Sequence, residues 1–172
     1  MQLQIEHLHN LRVFNFYLKG LLDKKILLLS ADNPQNPEFV RNIFTYCQGE
    51  HCLITPDLFS FKYTNNADTE NIRLTIMAEL EDFLDNKQDL TNIEGEKNII
   101  KQAEAVADSY IRPTLNRDNG DIEILDFSEN ALILKFTGHC AGCPFAQNTL
   151  NNVIYKALKR FIPEIKEIRM AE

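Results

Sequence analysis

Hydrophobic positions change period several times along the chain, and each change predicts a different element. Val13, Phe14, Phe16, Tyr17 and Leu18, within 12–19, and then Ile26 to Leu29, within 25–29, are short apolar runs that predict strands, parted by a turn around Gly20 to Lys24. Behind Asn36-Pro37, read as cap and first position, Phe39, Val40, Ile43, Phe44 and Cys47 recur at helical steps until Gly49. Cys52 to Thr55 and Phe59 to Tyr63 predict a hairpin around Pro56-Asp57-Leu58. From Thr69 to Asp85 the apolar residues Ile72, Ile76, Leu80, Phe83 and Leu84 return to helical spacing, with Glu79, Glu81 and Asp82 largely outside the stripe.

Periodicity lapses over 86–96, a polar stretch containing Gly95, which reads as an interdomain linker. It resumes from about Lys97 to Leu115, where Ile99, Ile100, Ala103, Val106, Ala107, Tyr110 and Ile111 predict a helix that Pro113 ends or bends. Asp118-Asn119-Gly120-Asp121 turns into a strand holding Ile122, Ile124 and Phe127. Ser128-Glu129-Asn130 then turns back into a strand with Leu132, Leu134 and Phe136 on one side. Ala146, Leu150, Val153, Ile154, Ala157, Leu158 and Phe161 predict a second amphipathic helix, after which Ile165 and Ile168 suit one more strand. The fold class is therefore α+β, with two small domains: 1–85, ββαββα, and 97–172, αββαβ, joined by 86–96.

Composition narrows the possible functions. The chain has 172 residues, 44% of them hydrophobic and 25% charged, the makeup of an ordinary globular protein. No apolar run approaches the roughly 20 residues of a membrane helix. A formal charge of -7, with basic residues clustering only as Lys24-Lys25 and Lys159-Arg160, argues against a nucleic-acid surface and favours protein partners. Met1 to Asn10 has neither the apolar core of a secretory signal nor the Arg-rich bias of an organellar one, so the expected setting is the cytoplasm, with the mature chain starting at Met1. There most thiols stay reduced, and four cysteines do not read as a disulfide framework. Cys47 and Cys52 fall at a helix end and a strand start, where cysteine packs as a small hydrophobe.

The chemistry concentrates in Gly138-His139-Cys140-Ala141-Gly142-Cys143-Pro144, between the last hairpin strand and the helix after it. Pro144 suits a first helical position and makes Cys143 the N-cap, where free amides and the helix dipole are expected to lower thiol pKa. Thiolates are the nucleophilic and metal-binding form of cysteine, and Gly138 and Gly142 permit a tight loop around them. Two sulfurs do not complete a structural zinc site or an iron-sulfur cluster, each of which usually takes four protein ligands, so a second pair has to come from elsewhere. A CxxC at a strand-to-helix junction also suits a thiol-disulfide redox site, although little chain follows it here to finish a thioredoxin-like sheet. His139 could offer imidazole to the same metal, but a residue adjoining a ligand usually points away from it. Asp118, Asp121 and Glu123 are read as turn-forming and solvated rather than as an acid-base pair.

Four motifs in order also carry a family resemblance: Ile111-Arg112-Pro113-Thr114-Leu115, Asp118-Asn119-Gly120-Asp121-Ile122-Glu123, the cysteine turn, and Phe161-Ile162-Pro163-Glu164-Ile165. Over about 97–170 the chain resembles the C-terminal NifU-like domain of the Nfu family, and over 1–85, less closely, through its strand and helix order and Gly49 to Tyr63, the N-terminal domain that accompanies it. Asn119 stands where the family commonly has glycine, a substitution asparagine tolerates because it enters left-handed backbone easily, and Phe145 stands where family members carry small residues. The resemblance implies an iron-sulfur cluster scaffold or carrier rather than an enzyme. A 4Fe-4S cluster would be held by Cys140 and Cys143 from each of two subunits, received from an upstream assembly scaffold and delivered to apo iron-sulfur proteins. A thiol-disulfide redox protein and a zinc-bridged dimer are the alternatives.

Overall fold

The computed structural model describes residues 3–23, 25–65, 67–86, 88–144, 148 and 150–171. Its strands and helices form two units, Met1–Glu96 and Lys97–Glu172.

In the first unit five strands form one antiparallel sheet: β1 (Gln4–Leu8), β2 (Val13–Tyr17), β3 (Leu27–Leu29), β4 (Gly49–Ile54) and β5 (Leu58–Tyr63), in the spatial order β1-β2-β5-β4-β3. Alternation places Phe14 and Phe16, Phe59 and Phe61, Cys52 and Ile54, and Leu27 and Leu29 in one buried cluster. Helices α1 (Glu38–Tyr46) and α2 (Thr69–Asn86) add Phe39, Val40, Ile43, Ile72, Ile76, Leu80 and Phe83 to it. The predicted ββαββα order gains a strand at its start. Gln4-Ile5-Glu6-His7-Leu8 has no apolar face of its own and becomes a strand by pairing with β2, from Gln4 opposite Tyr17 to Leu8 opposite Val13. Asn36 is not the helix cap expected: Pro37 holds that place, and the Asn36 side-chain amide donates to the Ser30 carbonyl at 2.8 Å.

The polar stretch read as a linker is held against this first unit. Leu90 is buried in its core, and the Glu96 amide donates to Leu28 on edge strand β3 at 2.8 Å.

The second unit opens with α3 (Ile99–Val106), whose N-cap Asn98 accepts from the Lys101 amide at 3.1 Å. A wider π-helical turn, Ala107–Ile111, leads into α4 (Arg112–Leu115). Pro113 thus does not end the helix where it stands: it lacks an amide hydrogen, and the ladder before it is loosened into wider hydrogen-bonded turns. Strands β6 (Gly120–Ser128) and β7 (Ala131–Gly138) form a hairpin whose corner, Glu129-Asn130, has φ of 51° and 61°, the left-handed pair that a two-residue turn requires. A π-helical stretch, Leu150–Tyr155, passes into α5 (Lys156–Phe161) and then β8 (Glu167–Met170), which pairs parallel to β7. In this unit Ile122, Ile124, Leu132, Leu134 and Phe136 of the sheet are buried, as are Val106, Ile111, Ile154, Leu158 and Phe161 of the helices. No helix among the described residues is long and apolar enough to cross a membrane.

Candidate metal centre

Both cysteines of the CxxC turn sit at the end of β7 away from the hairpin corner, where β7 meets the beginning of β6. Gly138 faces Gly120 across the ladder. The chain leaves β7 through Gly138 at φ 60°, where a β-carbon would run into the Asn119 carbonyl, so glycine is required twice over. Asn119 itself adopts φ 55°, the left-handed geometry expected of it, and its carbonyl accepts from the His139 amide at 3.0 Å. The Ala141 amide then donates to Gly138 at 3.1 Å and the Cys143 amide to Cys140 at 3.4 Å, which winds the turn and brings both thiols to one hollow. That hollow, of about 360 Å³, is lined by Thr114, Leu115, Asp118, His139, Cys140, Cys143 and Val153.

Both thiols are free and partly exposed. Cys47 and Cys52 are also free but are buried in the first unit at 3% and 1% exposure. The helix start expected at Pro144 runs into Phe145, Ala146 and Gln147, which lie outside the described residues, as does any part Phe145 plays beside the cysteines. His139 lines the hollow but is exposed, and among the described residues no three His, Cys, Asp or Glu side chains converge as a set that could hold a metal ion. Two thiols are therefore what the described part of one chain brings to the hollow, and a four-ligand group needs more.

The electrostatics of Cys140 are set by its burial and by the groups gathered around it. Burial, and after it the neighbouring Cys143 and the carboxylates of Asp118 and Asp121, push the Cys140 thiol up; a hydrogen bond from the Asp121 amide pulls it the other way. The turn residues Asp118 and Asp121 are brought beside the sulfur only by the pairing of β6 with β7.

Three residues around the thiol escaped the sequence reading. Gly120 is buried directly beneath it, and a β-carbon at that position would overlap the Cys140 Sγ. Arg112, at 8% exposure, is the hub of a charged network: its Nη1 reaches Asp108 Oδ1 at 2.7 Å and Glu104 Oε2 at 2.8 Å, its Nε reaches Asp121 Oδ1 at 3.1 Å, and its Nη2 donates to the Ile122 carbonyl at 3.1 Å. Asp121, read as a solvated turn residue, is the link between that network and the cysteine turn. One signal was available: Glu104, Asp108 and Arg112 fall at four-residue steps along a predicted helix, which places them on one face.

Comparison with known proteins adds the following. Residues 104–169 match the family model described as the NifU-like domain. The chain is 30% identical over 83 residues to the "NFU1 iron-sulfur cluster scaffold homolog, mitochondrial" of Drosophila willistoni, an alignment covering 48% of this chain and 29% of that protein. The homologue of the same name from Drosophila grimshawi is 30% identical over 76 residues, covering 44% and 26%. The chain thus spans less than a third of the length of these curated relatives. Among solved structures, a crystal structure of a Staphylococcus aureus protein aligns with 46% of this chain and 99% of its own, at 16% identity and a TM-score of 0.40.

Proposed function

We propose that this chain, whose residues 104–169 match the NifU-like domain, belongs to the Nfu family and is an iron-sulfur cluster scaffold or carrier rather than an enzyme. A 4Fe-4S cluster is its cargo, bound by Cys140 and Cys143 of one chain and the same two residues of a second copy. The observation that carries this reading is that two free, partly exposed thiols share one hollow while, among the described residues, no third ligand joins them. Two copies related by a twofold axis supply four thiolates from one self-complementary patch.

Delivery follows as thiolate exchange. A recipient's thiolate takes the place of Cys140 or Cys143 on iron, the displaced sulfur accepts a proton, and no electrons move. An upstream assembly scaffold loads the cluster and apo iron-sulfur proteins receive it. The site belongs to a domain at 97–172, and the N-terminal domain, 1–85, serves to recognise one of these partners. The curated relatives carry mitochondrial names; a tagged full-length chain followed by fractionation decides whether this chain resides in mitochondria or in the cytoplasm.

The test is anaerobic reconstitution of the full chain with iron and sulfide. About two irons and two sulfides per chain, in a particle of twice the chain mass, is the expected result for one shared cluster. Zinc uptake without iron would replace the reading with a zinc-bridged site, and a metal-free monomer that reduces disulfides would replace it with a redox one.

A further inference from the structure

The network around Arg112 joins a buried pair, Arg112 and Asp108, to two half-exposed carboxylates, Glu104 and Asp121. Glu104 and Asp121 are still 40% and 44% exposed at their side chains, while Arg112 is buried, so one guanidinium gathers carboxylates that water could otherwise serve. What the arrangement does accomplish is geometric. Asp108 and Glu104 hold the guanidinium from the helix side. Its Nε and Nη2 are then aimed at Asp121 Oδ1 and the Ile122 carbonyl, two successive residues of β6. Asp121 Oδ1 also accepts the Ile122 amide at 2.8 Å, which ties the carboxylate to its own backbone. The backbone so clamped is the one that runs beneath Cys140, where the residue before Asp121, Gly120, offers the sulfur a surface without a side chain.

We propose that Arg112, acting through Asp121, is a positioning residue that clamps the start of β6 beneath Cys140 and so fixes the direction in which Cys140 presents its sulfur to the hollow. Cys140 is then the anchored thiolate of the pair. A planar fork is needed for this, because four acceptors on two elements lie around one cation and the three rotatable donors of a lysine leave from a single nitrogen. The inference rests on the cluster-carrier reading for its purpose but not for its geometry.

The experiment uses the full chain in three variants: Arg112→Lys, which keeps the buried charge, Asp121→Ala, which removes the oxygen that accepts from both Arg112 and the Ile122 amide, and Gly120→Ala, which leaves the network intact and crowds the sulfur. In the apo-protein, NMR couplings and Cβ shifts report the side-chain rotamer of each cysteine. In the reconstituted protein, visible circular dichroism reports the geometry of the ligands, and decay under a chelator gives the cluster lifetime. Thermal melting establishes that each variant is folded, and if Arg112→Lys is not, Asp121→Ala carries the test. The expected result is a single Cys140 rotamer in the unmodified chain, averaging in the Arg112 and Asp121 variants, and a different rotamer in Gly120→Ala, with Cys143 unchanged. Cluster lifetime is expected to fall roughly two- to tenfold in the first two, the factor that one hydrogen bond is worth. Folded variants in which the Cys140 rotamer, the dichroism and the lifetime all match the unmodified chain would overturn the proposal. If the rotamers move as expected while no protein, the unmodified chain included, takes up a cluster, the positioning stands and the carrier reading falls.

Discussion

Cys52 and Cys140 carry the same thiol into opposite circumstances. Cys52 is closed inside the first unit, where burial pushes its thiol far up and keeps it neutral; Cys140 opens on a hollow shared with a second sulfur. Replacing Cys140 or Cys143 by serine is therefore expected to abolish iron and sulfide uptake with little change in melting. Cys52→Ser is expected to keep uptake while losing about 1–3 kcal/mol of stability, because it puts a hydroxyl among apolar side chains. Iron analysis and urea unfolding of the same variants check both halves, and a double Cys140, Cys143 variant that still retains iron would remove the ligand set. A second residue-scale outcome concerns alkaline pH. Burial, and then its hydrogen bond to Glu6 at 2.7 Å, push the Tyr17 phenol up to about 12. The folded state thus favours the protonated phenol. Its contribution to stability is complete below the unfolded-state value near 10 and is lost as pH rises towards 12. Tyrosinate absorbance and unfolding measured across that window should show the loss, and Tyr17→Phe should remove it.

Among the elements, the bulged start of β4 and the N-terminus of α3 are the most exposed to single changes. Gly49 lies where the register between β4 and β5 shifts, and a β-carbon there would press into the ring of Phe61, a fully buried core residue. Gly49→Ala is expected to cost about 1–3 kcal/mol, since the ring has to leave its packing to make room. Equal urea midpoints for the two proteins would contradict this. Asn98→Ala removes the hydrogen bond to the Lys101 amide and is expected to cost about 1 kcal/mol, read from the same unfolding curves. Pro113 shows how an element can survive a residue that sequence reasoning treats as a breaker. The wide turn at Ala107–Ile111 absorbs the irregularity, and the helix goes on to present Arg112 to β6.

For the whole molecule, the negative charge is unevenly distributed. Acidic and basic residues balance over 97–172, so the net -7 is carried by 1–96, the part without the cysteine turn. Cluster binding through a shared patch predicts a change of assembly: loading the full chain should double its mass in solution, and removal of iron by a chelator should reverse the change. Light scattering on loaded and stripped protein checks it, and a loaded particle of single-chain mass would contradict cluster sharing.

Much of this was legible in order along the chain. Apolar spacing marked α1, α2, the two hairpins and both helical stretches of the second unit, because a buried face repeats at 3.6 or 2 residues whatever it is buried against. The cysteine pair and its glycines were legible as chemistry, since soft ligands in a short turn have few other uses. β1 was not legible: a mixed polar edge strand exists only through the neighbour it pairs with. Nor was the raised pKa of Cys140, nor the part played by Gly120, Asp121 and Arg112. Each depends on β6 returning beside the end of β7, and no local pattern records what a residue will face across a sheet. The sequence by itself determined which segments carry a buried face at helical or strand spacing, and which two thiols could bind a metal. Only the tertiary structure decided which carboxylates and which bare backbone surround the first of those thiols, because those neighbours are set by strand register and helix packing between residues that belong to different elements.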